Sequence, residues 1–230
     1  ETIALAIAAL QAVGLPQFTI SLGHVGFFRG LLDALALPER LAEKVRQAVY
    51  RKAEAELASL LVQAGTISAA GRDALLSLAR LTGKAEILSA AEAFCLNPAM
   101  TQALEDLRAV STLLEAHGVA DIVSYDLSEV RDLDYYTGIT FEGFAPGLGF
   151  GLISGGRYDG LIEHFGSPFP AVGWALTLDR VLIAREMQGV VAQEPAPDVL
   201  LAAGDCPACL AWAAGARQRG VRVEVDPLGL

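Results

Sequence analysis

The sequence predicts an α/β chain of the α+β type: an antiparallel sheet flanked by helices, followed by a small strand, helix and strand piece. Three observations lead there. Hydrophobic residues make up 53% of the 230, much of that alanine and leucine, the composition of a helix-rich globular chain. Residues 135–144 and 150–153 are dense in aromatic and β-branched side chains on either side of Pro146-Gly147-Leu148-Gly149, which is the pattern of an antiparallel hairpin around a turn. Beyond a polar, proline-bearing linker at 189–197, residues 198–203, 207–219 and 221–226 read as strand, helix and strand.

Taken in order, residues 1–15 form a helix stopped by Gly14 and Pro16. It is too short to cross a membrane and carries no basic leader, so a cytoplasmic protein with no membrane partner is expected. The chain begins at Glu1 rather than methionine, as expected of an internal portion of a longer protein. Residues 17–22 alternate apolar Phe18, Ile20 and Leu22 with polar neighbours, a half-buried strand. The next residues pass into a helix ending near Pro38. His24 lies between the two with no nucleophile pattern around it, so a structural role is expected.

Residues 38–100 read as helical, with a long run over 39–62 and breaks at Gly65, Gly71, Gly83 and Asn97-Pro98. Arg40, Lys44, Arg46, Arg51 and Lys52 interleave with Glu39, Glu43, Glu54 and Glu56, the spacing of an ion-paired helix face rather than a nucleic-acid surface. A formal net charge of -10 points the same way, because phosphate backbones are held by clustered Lys and Arg. Transfer RNA is therefore not an expected partner. A helix over 101–117 and a strand over 122–127 follow. His117 falls in the last helical turn, where a cation is favourable, and His164 matches no motif.

Function concentrates in residues 130–180, which hold ten of the 23 glycines between Gly138 and Gly173. Close backbone approach is gathered there. The hairpin's second strand is expected to end at Gly155-Gly156-Arg157-Tyr158-Asp159. A short apolar strand over 170–176 then leads into a helix near Asp179 and Arg180, a junction where a guanidinium can meet an anion with two parallel hydrogen bonds.

Three runs here carry a resemblance. Val130-Arg131-Asp132-Leu133-Asp134-Tyr135-Tyr136-Thr137 resembles the histidine-binding signature of histidyl-tRNA synthetases. Gly155-Gly156-Arg157-Tyr158-Asp159-Gly160-Leu161 resembles that family's glycine-rich motif, and 170–180 resembles the last motif of class II synthetases. The resemblance implies a class II synthetase-like core over 1–188, with a helical insertion at about 38–100, and a partial anticodon-binding-like piece over 198–230. It also implies roles. Arg131, Tyr135, Tyr136, Gly155 and Gly156 would bind histidine, Arg157 and Asp159 would support the loop, and Arg180 would stand where the enzymes bind nucleotide, as a vestige of that site.

Two departures bear on activity. Asp132 stands where the family's enzymes carry glycine, and Asp179 where they carry glutamate before the last arginine. An acid beside Arg131 opposes the charge that would meet a substrate carboxylate. The sequence thus resembles more closely the paralogous branch that serves as regulatory subunit of ATP phosphoribosyltransferase in histidine biosynthesis. That branch implies no catalytic residues, no cofactor, histidine as ligand, and as partners the phosphoribosyltransferase catalytic subunit and a second copy of the chain. The alternative is a catalytic histidyl-tRNA synthetase, which would require ATP and magnesium. A third reading, a thiol oxidoreductase, would rest on Cys206-Pro207-Ala208-Cys209 and a depressed thiol pKa. A zinc site there would need distant ligands, so no metal is expected.

Overall fold

The computed structural model describes residues 1–63, 67–128, 135–190, 196–202 and 206–226. The chain divides into two compact units, Glu1–Val190 and Val191–Leu230. In the first, α1 (Thr2–Ala12) leads to β1 (Thr19–His24) and α2 (Val25–Leu35). Short helices follow as α3 (Glu39–Tyr50), α4 (Glu54–Gln63) and α5 (Ala69–Leu78), then β2 (Thr82–Gly83), α6 (Glu86–Glu92) and the long α7 (Pro98–Ala116). Next come β3 (Val123–Asp126), β4 (Ile139–Phe144), β5 (Ile153–Arg157), α8 (Asp159–Glu163), β6 (Val172–Leu176) and α9 (Leu178–Met187).

The six strands form one sheet in the order β2-β3-β1-β4-β5-β6. Only β1 and β3 run parallel; the other neighbours are antiparallel. Side chains alternate across a sheet, so register assigns each to a face. One face carries Ile20 and Leu22, Phe141, Ile153, Trp174 and Leu176 in directly opposed or adjacent positions. Ile20, Leu22, Phe141 and Ile153 are buried in the core with Leu10 of α1 and Leu104 and Leu107 of α7. The helices cover this face.

Side chains cap the starts of α2, α5 and α7. Asn97 accepts the Met100 amide at 3.0 Å and donates to the Gly30 carbonyl at 2.7 Å, so one side chain both caps α7 and ties it to α2. The expected unbroken helix over 39–62 is instead two helices. Lys52 takes a left-handed turn with φ 51, and its ammonium reaches Asp126 at 2.8 Å and Thr82 at 3.4 Å. The break lets α3 and α4 bury Val45, Val49, Leu57 and Leu61 in one core. Gly71 does not end a helix either. It lies in the first turn of α5, where Ser68 accepts its amide at 3.0 Å. Gly65 lies outside the described residues. Two members of the basic run pair with its interleaved acids, Arg46 with Glu43 at 2.7 Å and Arg51 with Glu56 at 3.0 Å, whereas Lys52 reaches Asp126.

The hairpin forms with a shifted second strand. Residues 150–152 belong to the connection, and β5 runs through Gly155 and Gly156 instead of ending there. The glycines are strand-interior positions whose missing side chains make room for neighbours described below.

In the second unit β7 (Val199–Ala202) and β8 (Val223–Asp226) pair in parallel, joined by α10 (Pro207–Gln218). Ala213, Ala216 and Val223 form its small core. Arg222 grips the exposed Asp198 at 2.7 Å, and this hydrogen bond holds the carboxyl down at about 2. Among the described residues no helix is long and apolar enough to cross a membrane.

Candidate functional site

The sheet's other face is polar and small. Register places Ser21 and Gly23 of β1, Thr140 and Glu142 of β4, Ser154 and Gly156 of β5, and Gly173 of β6 on it. This surface is the floor of the candidate site.

Aromatic rings close one end. Tyr135 and Tyr136 meet edge to face with centroids 4.9 Å apart, and Tyr135 stacks on Tyr158 at 5.1 Å. Glycine admits these rings. A Cβ on Gly156 would stand 2.7 Å from Tyr136 Cδ1, and one on Gly173 would collide with the Tyr158 hydroxyl. Gly155, expected beside a ligand, faces the opposite way. It lies opposite Phe141 and Trp174 on the apolar face, because adjacent residues of a strand cannot share a face.

The loop after β5 is pinned by Asp159. Its carboxylate accepts from Arg157 Nε at 2.7 Å and from the Ala171 amide at 2.9 Å, while its own amide donates to Thr137 Oγ1 at 3.0 Å. Burial raises this carboxyl, but the Arg157 and Ala171 hydrogen bonds outweigh it and hold it below the usual range. Arg157 and Asp159 thus fix the segment that carries Tyr158.

At the far end stands Arg180, in the first turn of α9. Its Nη1 donates to the Gly151 carbonyl at 2.7 Å, and its guanidinium lies 5.1 Å over the Phe150 ring. Gly151 also lies against the carboxyl of Glu142. Between the two ends are the buried Glu142 and Thr140, and Thr140 Oγ1 is sealed from solvent with no hydrogen-bond partner among the described residues. Arg131 and Asp132 lie outside the described residues.

A cavity of about 450 Å³ is lined by Thr137, Gly156 and Arg157 of this site together with Phe141, His24 and Asp106. His24 caps α2: its Nδ1 accepts the Gly26 amide at 3.0 Å, which leaves the neutral ring's proton on Nε2, 3.3 Å from Asp106 Oδ2. Burial pushes this imidazole below its ordinary range, with Asp106 pulling the other way and Arg29 adding to the fall. The sign of the consequence is fixed. The unfolded ring takes up a proton as pH falls through about 6.5, whereas the folded ring resists it, so stability is full above that pH and declines with acidification below it. Urea unfolding at successive pH values is expected to record the decline. His24→Asn, which keeps a capping oxygen, should reduce it.

The family model for histidyl-tRNA synthetase matches residues 1–181. The chain belongs to the histidyl-tRNA synthetase family. It is 38% identical over 201 residues to the ATP phosphoribosyltransferase regulatory subunit of Geobacter sulfurreducens, a span of 87% of this chain and 46% of that protein. It is 40% identical over 232 residues to the subunit of the same name from Symbiobacterium thermophilum, covering 98% of this chain and 57% of the relative. The chain therefore spans about half the length of the curated relatives it matches. A crystal structure of an ATP phosphoribosyltransferase regulatory subunit/histidyl-tRNA synthetase from Bacillus halodurans superposes with a TM-score of 0.79 at 29% identity, over 98% of this chain and 57% of that one. The antiparallel sheet with flanking helices is thus the class II synthetase-like fold of this family.

Sequence reasoning missed four residues of the site. Thr140, Glu142 and Tyr158 meet the floor or its tyrosines, and Phe150 carries Arg180. Glu142 did leave a signal: a lone acid in the apolar strand Ile-Thr-Phe-Glu-Gly-Phe is costly to bury unless something meets it.

Proposed function

We propose that this histidyl-tRNA synthetase family chain acts as a regulatory subunit of ATP phosphoribosyltransferase, binding histidine as feedback signal on the polar sheet face and transmitting it to the catalytic subunit. The observation that carries the ligand site is the buried Thr140 hydroxyl without a partner among the described residues, on a floor closed by tyrosines. An unsatisfied buried hydroxyl is destabilising by about 1–3 kcal/mol, so a polar ligand that meets it gains affinity. A phenol can donate to or accept from an imidazole nitrogen, which suits Tyr135 and Tyr136. Arg131 would meet the ligand carboxylate. Gly156 serves by admitting Tyr136, and Arg157 and Asp159 by holding the loop.

The partner is supported by the name the curated relatives share. Feedback of this kind requires histidine to favour one of two states of the assembly. The proposed protein is a cytoplasmic dimer with no cofactor of its own and no tRNA ligand.

The synthetase reading is favoured by the family model and by the second name that the Bacillus halodurans structure carries. Histidine-dependent exchange between ATP and pyrophosphate, measured on the full-length protein, separates the two. Exchange at background with histidine still bound in calorimetry is the expected result, together with histidine-sensitive activity when the catalytic subunit is added. Exchange well above background would overturn the regulatory proposal.

A further inference from the structure

We propose that Cys206 and Cys209 form a redox-active dithiol that closes to an intrachain disulfide by exchange with a small-molecule disulfide. Cys206 is the N-cap of the 12-residue helix α10, with φ -77 and ψ 106. Its Sγ accepts the Cys209 amide at 3.3 Å. The cap folds the first side chain back over the third helical residue, so the two sulfurs share one turn and the Cys209 thiol hydrogen-bonds to Cys206. Pro207 at the first helical position fixes that turn without contributing an N–H. Both thiols are partly exposed. A reagent can reach them.

The two sulfurs are chemically unequal. The Cys209 thiol and the first-turn amides pull the Cys206 thiol down from its ordinary range, whereas the hydrogen bond given to Cys206 pushes Cys209 up. A helix N-terminus favours negative charge on the capping atom. Cys206 is therefore the attacking sulfur and Cys209 the resolving one. Cys95 offers an internal contrast: burial raises its thiol, and its Sγ leans on the Ala91 carbonyl at 3.8 Å. A metal role lacks support, because among the described residues no three His, Cys, Asp or Glu side chains gather to hold an ion.

The exchange balances. The Cys206 thiolate attacks one sulfur of the reagent disulfide, the reagent S–S bond breaks, and one reagent thiolate leaves. Cys209, losing its proton to solvent, attacks the Cys206 sulfur of the mixed disulfide and expels the second reagent thiolate. Two protein thiols are oxidised and one small disulfide is reduced to two thiols.

The test incubates the whole chain with oxidised glutathione and reads its intact mass. The expected product is lighter by two hydrogens and carries no glutathione. Cys209→Ser should stop at a single glutathione adduct on Cys206. Cys206→Ser, which keeps a capping oxygen and so keeps α10, should lose fast adduct formation, and Cys95→Ser should behave as the parent. At neutral pH, iodoacetamide should label Cys206 several-fold faster than Cys95. Labelling of Cys206 no faster than Cys95, or a parent chain that never loses the two hydrogens, would overturn the proposal.

Discussion

Gly156→Ala is expected to weaken histidine binding by at least about tenfold, or about 1.4 kcal/mol, with the fold retained. The added methyl would stand 2.7 and 2.8 Å from two atoms of the Tyr136 ring and 2.8 Å from the Ile139 carbonyl. Ordinary carbon contacts begin near 3.5 Å, so something must move by roughly 0.7 Å. The carbonyl belongs to β4, which is hydrogen-bonded on both sides in the middle of the sheet. The ring is half-buried at the edge of the site and is the part that can give. A binding group must be held to about 0.5 Å, so on the proposed function the displaced ring would no longer meet the imidazole. Calorimetric titration with histidine reads the loss, and a cycle with Tyr136→Ala identifies its route. If Gly156→Ala acts through Tyr136, adding it to Tyr136→Ala should change affinity little more. Additive losses would place the effect elsewhere.

The parts of the fold legible in the sequence were those set by local chemistry. Asn97-Pro98 read as a helix boundary, with the next helix expected from 101; α7 starts three residues earlier, at Pro98, because a capping amide and a proline suit the first helical positions. The strand, helix and strand of the second unit were legible for the same reason, and the alternation of Phe18, Ile20 and Leu22 marked β1 before any partner strand was known. What long-range contacts decide was not legible. Nothing in Arg51-Lys52-Ala53 marks a helix break; Lys52 turns left-handed where its ammonium meets Asp126, 74 residues away. Gly155 and Gly156 read as a strand end because glycine weakens a strand, yet they sit inside β5, where Tyr136, Trp174 and Phe141 occupy the space their side chains would need. The site divided the same way. The tyrosine pair was visible as a motif, whereas Thr140 and Glu142 join it only through register, which depends on both strands at once, and Tyr158 through the loop that Asp159 pins.

Gly143→Val tests that register from the apolar side. Gly143 pairs with Ile20 of β1 and Ile153 of β5, and a Cβ there would collide with Ile153 Cγ2 and stand 3.0 Å from Ile20 Cδ1 and 3.5 Å from Leu10 Cδ1. Leu10 and Ile20 are fully buried and Ile153 is only 2% exposed, so no neighbour has solvent to move into. Two effects compete. Replacing glycine restricts the unfolded chain and is worth about 0.4–1 kcal/mol where the new residue fits, and valine adds β propensity. Overpacking a closed core costs about 1–3 kcal/mol, and two further methyls beyond the colliding Cβ push toward the upper end. The overpacking wins, and a net loss of about 2 kcal/mol is expected, read as a lower urea midpoint at unchanged slope. Gly143→Ala should fall between the parent and the valine variant. Trimming the neighbour in Gly143→Ala/Ile153→Ala removes Cγ2, the atom that crowds the new Cβ. If the opposed pair is the source of the cost, the double variant should be more stable than the sum of the two single changes allows.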